Sequence, residues 1–195
     1  FNYIKSKINN YDLKPMDTVS DIAISQELNM SRTPVKEAII QLTRCGLIKK
    51  ERTKFSVVPI TEKDVVEILE IRETLDLFSA RKICKAGGLT ENQIVVAQEL
   101  VQNLKQSIET LNFSNNFNFD NQFHKYLVEC SNNARAISIG QDIMLQGERL
   151  RWLSMITLDR YFKAADEHEQ IITALENADL DSAEKAIRSH YENTL

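Results

Sequence analysis

Residues 31–46, Ser-Arg-Thr-Pro-Val-Lys-Glu-Ala-Ile-Ile-Gln-Leu-Thr-Arg-Cys-Gly, carry a start, a buried face and a stop in one stretch. Ser31 is expected to cap a helix by accepting from a free N–H of its first turn. Pro34 falls in that turn, where its missing N–H costs little. Val35, Ala38, Ile39 and Leu42 recur at i, i+3, i+4 and i+7, which makes one apolar stripe. Gly46 can close the helix in the left-handed region. Arg32, Thr33 and Lys36 fall off the stripe at the N-terminal end, an arrangement that can enter a DNA major groove. Ile40 stands apart as an apolar residue beside that face.

The flanking sequence gives this helix a context. Val19, Ala23, Ile24 and Leu28 form a preceding helical pattern, and Asn29-Met30 is a connector short enough for a helix-turn-helix. After Gly46, Leu47-Ile48-Lys49-Lys50 and Ser56-Val57-Val58-Pro59 read as two short strands around a basic tip, Glu51-Arg52-Thr53-Lys54. Helix, turn, helix and basic hairpin is the order of a winged helix.

The run Ser31-Arg-Thr-Pro-Val-Lys-Glu-Ala38, followed by Leu42 and Gly46-Leu47, resembles the recognition region of GntR-family transcription regulators. The likeness extends back to Leu13-Lys14-Pro15 and Asp21-Ile22-Ala23-Ile24. It implies that Arg32, Thr33 and Lys36 contact DNA, with Ser31 opening the helix and Arg52 and Lys54 on the wing. Three positions depart from the family pattern. Met16 and Asn29 stand where Gly is usual, and Lys54 takes the place of a wing glycine, before Phe55.

Charge divides the chain in two. The net charge is −4. Residues 1–60 hold ten Lys and Arg against six Asp and Glu, whereas residues 61–195 hold fourteen against twenty-two. A basic module, 1–60, is therefore joined to an acidic one, 61–195, whose charge points to a task other than nucleic-acid binding. No apolar run reaches the length of a membrane span. Cys45, Cys84 and Cys130 form no C-x-x-C pair and read as free thiols of a cytoplasmic protein.

Beyond residue 60 the pattern is helical throughout. Thr61 to Asp64 opens a helix that runs to Gly87-Gly88, and Thr90 with Gln93 forms a capping box for the next. Asn112 to Asn116 reads as polar punctuation before a helix over Phe117–Cys130. Others are expected from about Ala136 past Trp152, and over about Tyr161–Glu176. A last one is capped at Asp181. The expected fold is mainly α: an N-terminal winged helix-turn-helix, then an antiparallel bundle of about six helices.

The chain has three histidines, His124, His168 and His190, and each falls on the apolar face of its helix. Asp120 lies one turn before His124, so their side chains can meet. A carboxylate facing a bundle interior is costly unless it is paired or binds a metal. Three imidazoles and this acid make a candidate site for Zn first, with Ni or Mn next. Ordinary hydrogen-bonded core histidines are the alternative.

Residues 65–195 resemble the FCD effector domain of the FadR subfamily, through Glu70-Ile71-Arg72-Glu73-Thr74-Leu75, Asp120-Asn121-Gln122-Phe123-His124, Glu167-His168-Glu169-Gln170-Ile171 and Ala183 to His190. The resemblance implies that Asp120, His124, His168 and His190 bind a metal, and that a small organic acid docks beside it. Arg72, Arg149 and Arg151 are candidate partners for that acid, because guanidinium pairs bidentately with carboxylate. The expected molecule is a non-enzymatic homodimer bound to double-stranded operator DNA, with no membrane association. Alternatives are a structural or sensed metal, or a metal-dependent hydrolase.

Overall fold

A computed structural model describes residues 1–110, 113–148 and 158–194, with the side chains of 113–117 and 158–159 excepted. The chain forms two compact units, Phe1–Thr61 and Glu62–Leu195.

The first unit contains α1 (Asn2–Asn9), α2 (Asp21–Glu27), α3 (Arg32–Arg44), β1 (Ile48–Glu51) and β2 (Lys54–Val57). Ile4, Ile8, Ile24, Val35, Ile39, Leu42, Leu47 and Val57 supply its core. Burying a side chain the size of Ile39 or Leu42 is worth about 1.5–3 kcal/mol. The strands pair antiparallel, Ile48 opposite Val57 and Glu51 opposite Lys54. They lie closer to the tip than the sequence pattern indicates, because a two-residue turn at Arg52-Thr53 lets pairing begin at Glu51. Arg52 takes φ +55 there, a first-position conformation that glycine usually supplies. Thr18 bridges to Ser56, which ties the chain before α2 to the hairpin.

Met16 and Asn29 have φ of +70 and +49. These are the positions where the family pattern has glycine, so the backbone keeps its left-handed turns without it. Asn tolerates that region at low cost, and Met does so less readily. Ser31 is the N-cap residue of α3, but its side chain makes no cap hydrogen bond, contrary to the expected cap.

The second unit contains α4 (Glu62–Lys85), α5 (Glu91–Glu109), α6 (Phe113–Cys130), α7 (Ala134–Gly147), α8 (Leu158–Glu176) and α9 (Leu180–Glu192). Helix α4 packs on α6 and α9, α5 on α6 and α8, and α8 on α9. Five helices thus close a ring, with α7 against α4 and α6. Of the expected punctuation at 112–116, residues 113–116 are helix and 112 lies outside the described residues; α8 is described from Leu158, ahead of the expected Tyr161. The helix expected to pass Trp152 is described as far as Gly147 with Glu148 as its cap residue; Trp152 lies outside the described residues.

Local chemistry sets the helix ends. Thr90 and Gln93 form the reciprocal capping box. Asn133 accepts from the N–H groups of Arg135 and Ala136, and so starts α7. Asp179, not Asp181, caps α9: it accepts from the Ser182 N–H at 3.1 Å, while Asp181 sits inside the first turn. Gly88 has φ +99, and a Cβ there would lie 2.7 Å from the Leu175 carbonyl oxygen. Only glycine lets the α4–α5 link pass so close to the end of α8. Among the described residues, no helix is long and apolar enough to cross a membrane.

Candidate metal centre

The ring of helices points one charged or imidazole cluster at its own axis. Helix α6 supplies Asp120 and His124 one turn apart, α8 supplies His168, and α9 supplies His190. One ligand atom from each of the four lies within 4.8 Å of the other three. Asp120 Oδ1 is 3.7 Å from His168 Nε2 and 3.9 Å from His124 Nε2. The His168 and His190 ring centroids are 4.8 Å apart, and Phe123 stacks on His168 at 4.0 Å.

All three histidines are buried. His124 Nε2 and both ring nitrogens of His168 have no hydrogen-bond partner. Leaving such groups unmade in a low-dielectric interior costs about 1–3 kcal/mol each. Burial pushes the His124 and His168 imidazoles well below their ordinary range, with the nearby Arg72 guanidinium adding to the effect. Both are therefore neutral at physiological pH, the form in which imidazole binds a metal. Burial works against the Asp120 carboxylate, but the charge and hydrogen bond of its neighbours, the Arg72 guanidinium among them, outweigh it and keep it ionised. Orphaned neutral nitrogens around an ionised carboxylate fit a divalent cation.

Carboxylates behind the rings fix their orientation. Asp76 on α4 places Oδ2 2.6 Å from His124 Nδ1, and accepts from the Tyr191 hydroxyl at 2.7 Å. Glu167 Oε2 lies 2.7 Å from His190 Nδ1 and accepts from Arg160 at 2.8 Å. With Nδ1 engaged in both rings, Nε2 is the nitrogen left for the axis. Burial raises the Asp76 carboxyl to about 7, against the pull of Tyr191 and Arg72. Burial also works on Glu167, yet the hydrogen bonds from His190, Arg160 and Asn193 bring it down to about 2.

Arg72 is buried on α4 and donates from Nη2 to Asp120 Oδ2 at 3.3 Å, while its Nε has no partner. It therefore reaches the carboxylate of the cluster and retains a donor. Arg149 and Arg151 lie outside the described residues. Asp76, Tyr191 and Arg160 carry no mark in the sequence motifs, and Glu167 stands there only as the neighbour of His168. Asp76 does leave a trace, as an acid one turn after Arg72 and flanked by Leu75 and Leu77.

In the first unit Ser31, Arg32, Thr33, Lys36, Arg52 and Lys54 are all exposed. Arg32 donates from Nη2 and Nε to Asp21 Oδ2 at 2.8 and 3.2 Å. Arg32, Thr33 and Lys36 line one shallow groove of about 490 Å³ together with Asp21, Glu37 and Ile40.

The FCD domain family matches residues 67–193. The chain is 28% identical over 184 residues to the HTH-type transcriptional repressor RspR of Escherichia coli, covering 92% of this chain and 78% of that one. It is 25% identical over 187 residues to the gluconate operon transcriptional repressor of Bacillus licheniformis, covering 90% and 73%. Among solved structures, E. coli McbR/YncC superposes with a TM-score of 0.81 at 21% identity, covering 98% of this chain and 91% of that one. A GntR-type regulator from Rhodococcus gives 0.79 at 18% identity, covering 98% and 91%.

Proposed function

Because the chain belongs to the GntR family of transcriptional regulators with an FCD domain, we propose that residues 1–60 bind operator DNA and that a small carboxylate, held beside a metal in residues 61–195, sets the strength of that binding. The observation that carries the second half is the set of orphaned, neutral ring nitrogens converging with Asp120 inside the helical ring.

Asp120, His124, His168 and His190 would hold the ion. Zinc is the first choice, since three nitrogens and one carboxylate suit it, with nickel or manganese next. A bound divalent ion supplies a fixed positive centre that attracts an anionic ligand. The chain's own residues do the rest. Asp76 and Glu167 orient two rings, Phe123 packs against a third, and the unpartnered Arg72 Nε offers a donor to a carboxylate arriving there.

In the basic module, α3 lies in the major groove and the wing tip approaches the backbone. Arg32 reads a guanine, the commonest role for arginine on a base edge, and Lys36 meets a base or phosphate. The protein acts as a cytoplasmic homodimer, so its operator is a short pseudo-palindrome with two similar half-sites. This is a regulator rather than an enzyme.

The reading is tested with the chain's own upstream region as a labelled duplex. Binding is measured by anisotropy with metal-loaded protein, with chelator-treated protein, and with mono-, di- and tricarboxylates. Specific binding that a carboxylate alters only in the loaded protein supports it. Binding indifferent to both metal and every acid makes the ion structural and refutes the effector half.

A further inference from the structure

Ile40 is unexplained by the core it adjoins. Ile39, its neighbour, is fully buried, as are Val35, Ala38 and Leu42 nearly so, whereas Ile40 is 38% exposed. Its companions on the groove are Asp21, Arg32, Thr33, Lys36 and Glu37, all polar. Arg32, Thr33, Lys36, Glu37 and Ile40 are the first, second, fifth, sixth and ninth residues of α3, a single face of the helix, and Asp21 reaches it from α2. An apolar side chain has been set among five polar ones on the surface that the proposed function turns toward DNA.

We infer that Ile40 is a base-reading residue whose side chain meets the C5 methyl of a thymine in each half-site. This rests on the reading of α3 as the groove helix, and it follows by exclusion from what the groove offers. Seating an isoleucine on a phosphate would strip water from the anion and return no hydrogen bond. The exposed edges of guanine, cytosine and adenine in the major groove are donors and acceptors; thymine alone presents a methyl group. Glu37, one turn before Ile40, is a carboxylate and turns this part of the face away from the phosphates and toward the groove floor. The β-branched side chain keeps one dominant χ1 rotamer in a helix, so little rotamer freedom is lost on contact.

The other end of the groove fixes where that thymine lies. Asp21 engages Nε and one N–H of Nη2 of Arg32. That pairing aims the guanidinium and leaves its far edge free for the bidentate contact to guanine. Arg32 and Ile40 are eight residues apart, roughly 12 Å along the helix. At roughly 3.4 Å per base step, the thymine falls within about four base pairs of the guanine.

The test uses a duplex selected from a randomised pool by the wild-type protein. Each thymine is replaced in turn by deoxyuridine, which removes only the methyl group. Affinities are measured for wild type, Ile40→Ala and Ile40→Val. At one thymine per half-site, deoxyuridine should weaken the wild type roughly three- to fivefold. Ile40→Val should keep that sensitivity and Ile40→Ala should lose it, with circular dichroism unchanged. Full methyl sensitivity in Ile40→Ala, or no sensitive thymine in the wild type, overturns the inference. Arg32→Ala separates the two levels. If Arg32→Ala binds the selected duplex as tightly as the wild type, or no duplex is enriched, the groove reading itself fails. If Arg32→Ala loses the duplex while every thymine is methyl-insensitive, only the role of Ile40 fails.

Discussion

Asp76 Oδ2 and His124 Nδ1 lie 2.6 Å apart in the buried centre of the helical ring, with no exposure of either residue. One proton serves this pair. With Nε2 occupied by a cation, the proton belongs on Nδ1 and the carboxylate is ionised, so Asp76 both selects the tautomer and strengthens the ligand.

Removing that carboxylate should therefore weaken the metal without deleting a ligand. Asp76→Ala is expected to lower metal affinity about 10–100-fold, measured by competition with a chromogenic chelator. Tyr191→Phe, which keeps the ring and loses only the donor to Asp76 at 2.7 Å, should cost less. Equal affinity in wild type and Asp76→Ala would remove Asp76 from the metal's surroundings.

The same groups set the acid sensitivity of the chelator-treated protein. His124 and His168 are held well below 6.5 by burial, so on acidification the unfolded chain takes up two protons there that the folded chain refuses. Asp76, raised to about 7, works in the other direction: the folded chain keeps a proton that the unfolded carboxyl releases above its usual 3.8. Below about pH 6.5, down to the depressed range in which the folded imidazoles themselves protonate, the unfolded state thus binds one more proton in net. Stability should fall by about 1.4 kcal/mol per pH unit as pH drops through that window. Above about pH 7 these three groups should contribute no slope. Urea titrations at pH 5, 6 and 7 read this directly, and a flat or inverted dependence would contradict it.

Adjacent glycines make a contrast that sequence cannot rank. Gly87 and Gly88 have φ of +98 and +99, but a Cβ on Gly87 meets nothing, while one on Gly88 runs into two backbone carbonyls of α8. Gly87→Ala should cost about 1–2 kcal/mol from backbone strain alone. Gly88→Ala should cost at least about 3 kcal/mol, because main-chain atoms cannot step aside. Similar denaturation midpoints for the two variants would show that the α4–α5 link relaxes freely.

What could be read beforehand follows from distance along the chain. Asp120 and His124 are one turn apart, and His168 and His190 each sit in a local apolar stripe, so helical spacing alone brings each to an inner face. The orienting pairs are different in kind. Asp76 and His124 are 48 residues apart, and Glu167 and His190 are 23 apart. Their meeting depends on how α4 packs on α6 and α8 on α9, which periodicity does not encode. Local competition explains smaller misses. Asp179 and Asp181 are both capable caps, and the chain turns at Ala178, φ +52, so that the first takes the N-cap position. Likewise Arg52 accepts a glycine-like conformation and so moves both strands toward the tip.

On the DNA side, Arg32→Ala should cost about 1–3 kcal/mol on the preferred operator and relax discrimination at one base pair. Lys54→Ala, at the wing, should weaken all sequences alike and reduce the salt dependence by about one unit of slope. Arg32→Ala protein that is folded and unchanged in affinity would take α3 out of the groove.

The last expectation concerns how an acid at the cluster is felt elsewhere. Arg72 stands on α4, the helix that opens the second unit at Glu62, the residue following Thr61. Its Nη2 is on Asp120 and its Nε has no partner, so an arriving carboxylate has both a cation and a vacant donor to satisfy. If the acid draws Arg72 toward itself, the start of α4 is the natural place for the effect to leave the bundle. Tight binding by itself would change nothing; the acid must bind the DNA-competent and DNA-incompetent states with different affinity. A coupling of about 1–3 kcal/mol, roughly 5–150-fold in operator affinity, is ordinary for such devices. Release from DNA is the expected sign. Reciprocity then fixes the check: an acid that weakens operator binding must itself bind more weakly, by the same factor, when operator is present. Calorimetric titration of the metal-loaded protein with and without operator measures both numbers. Arg72→Lys keeps the charge and loses the fork, and should reduce acid affinity more than it reduces metal affinity. An acid bound equally well with and without operator would leave the site uncoupled from DNA.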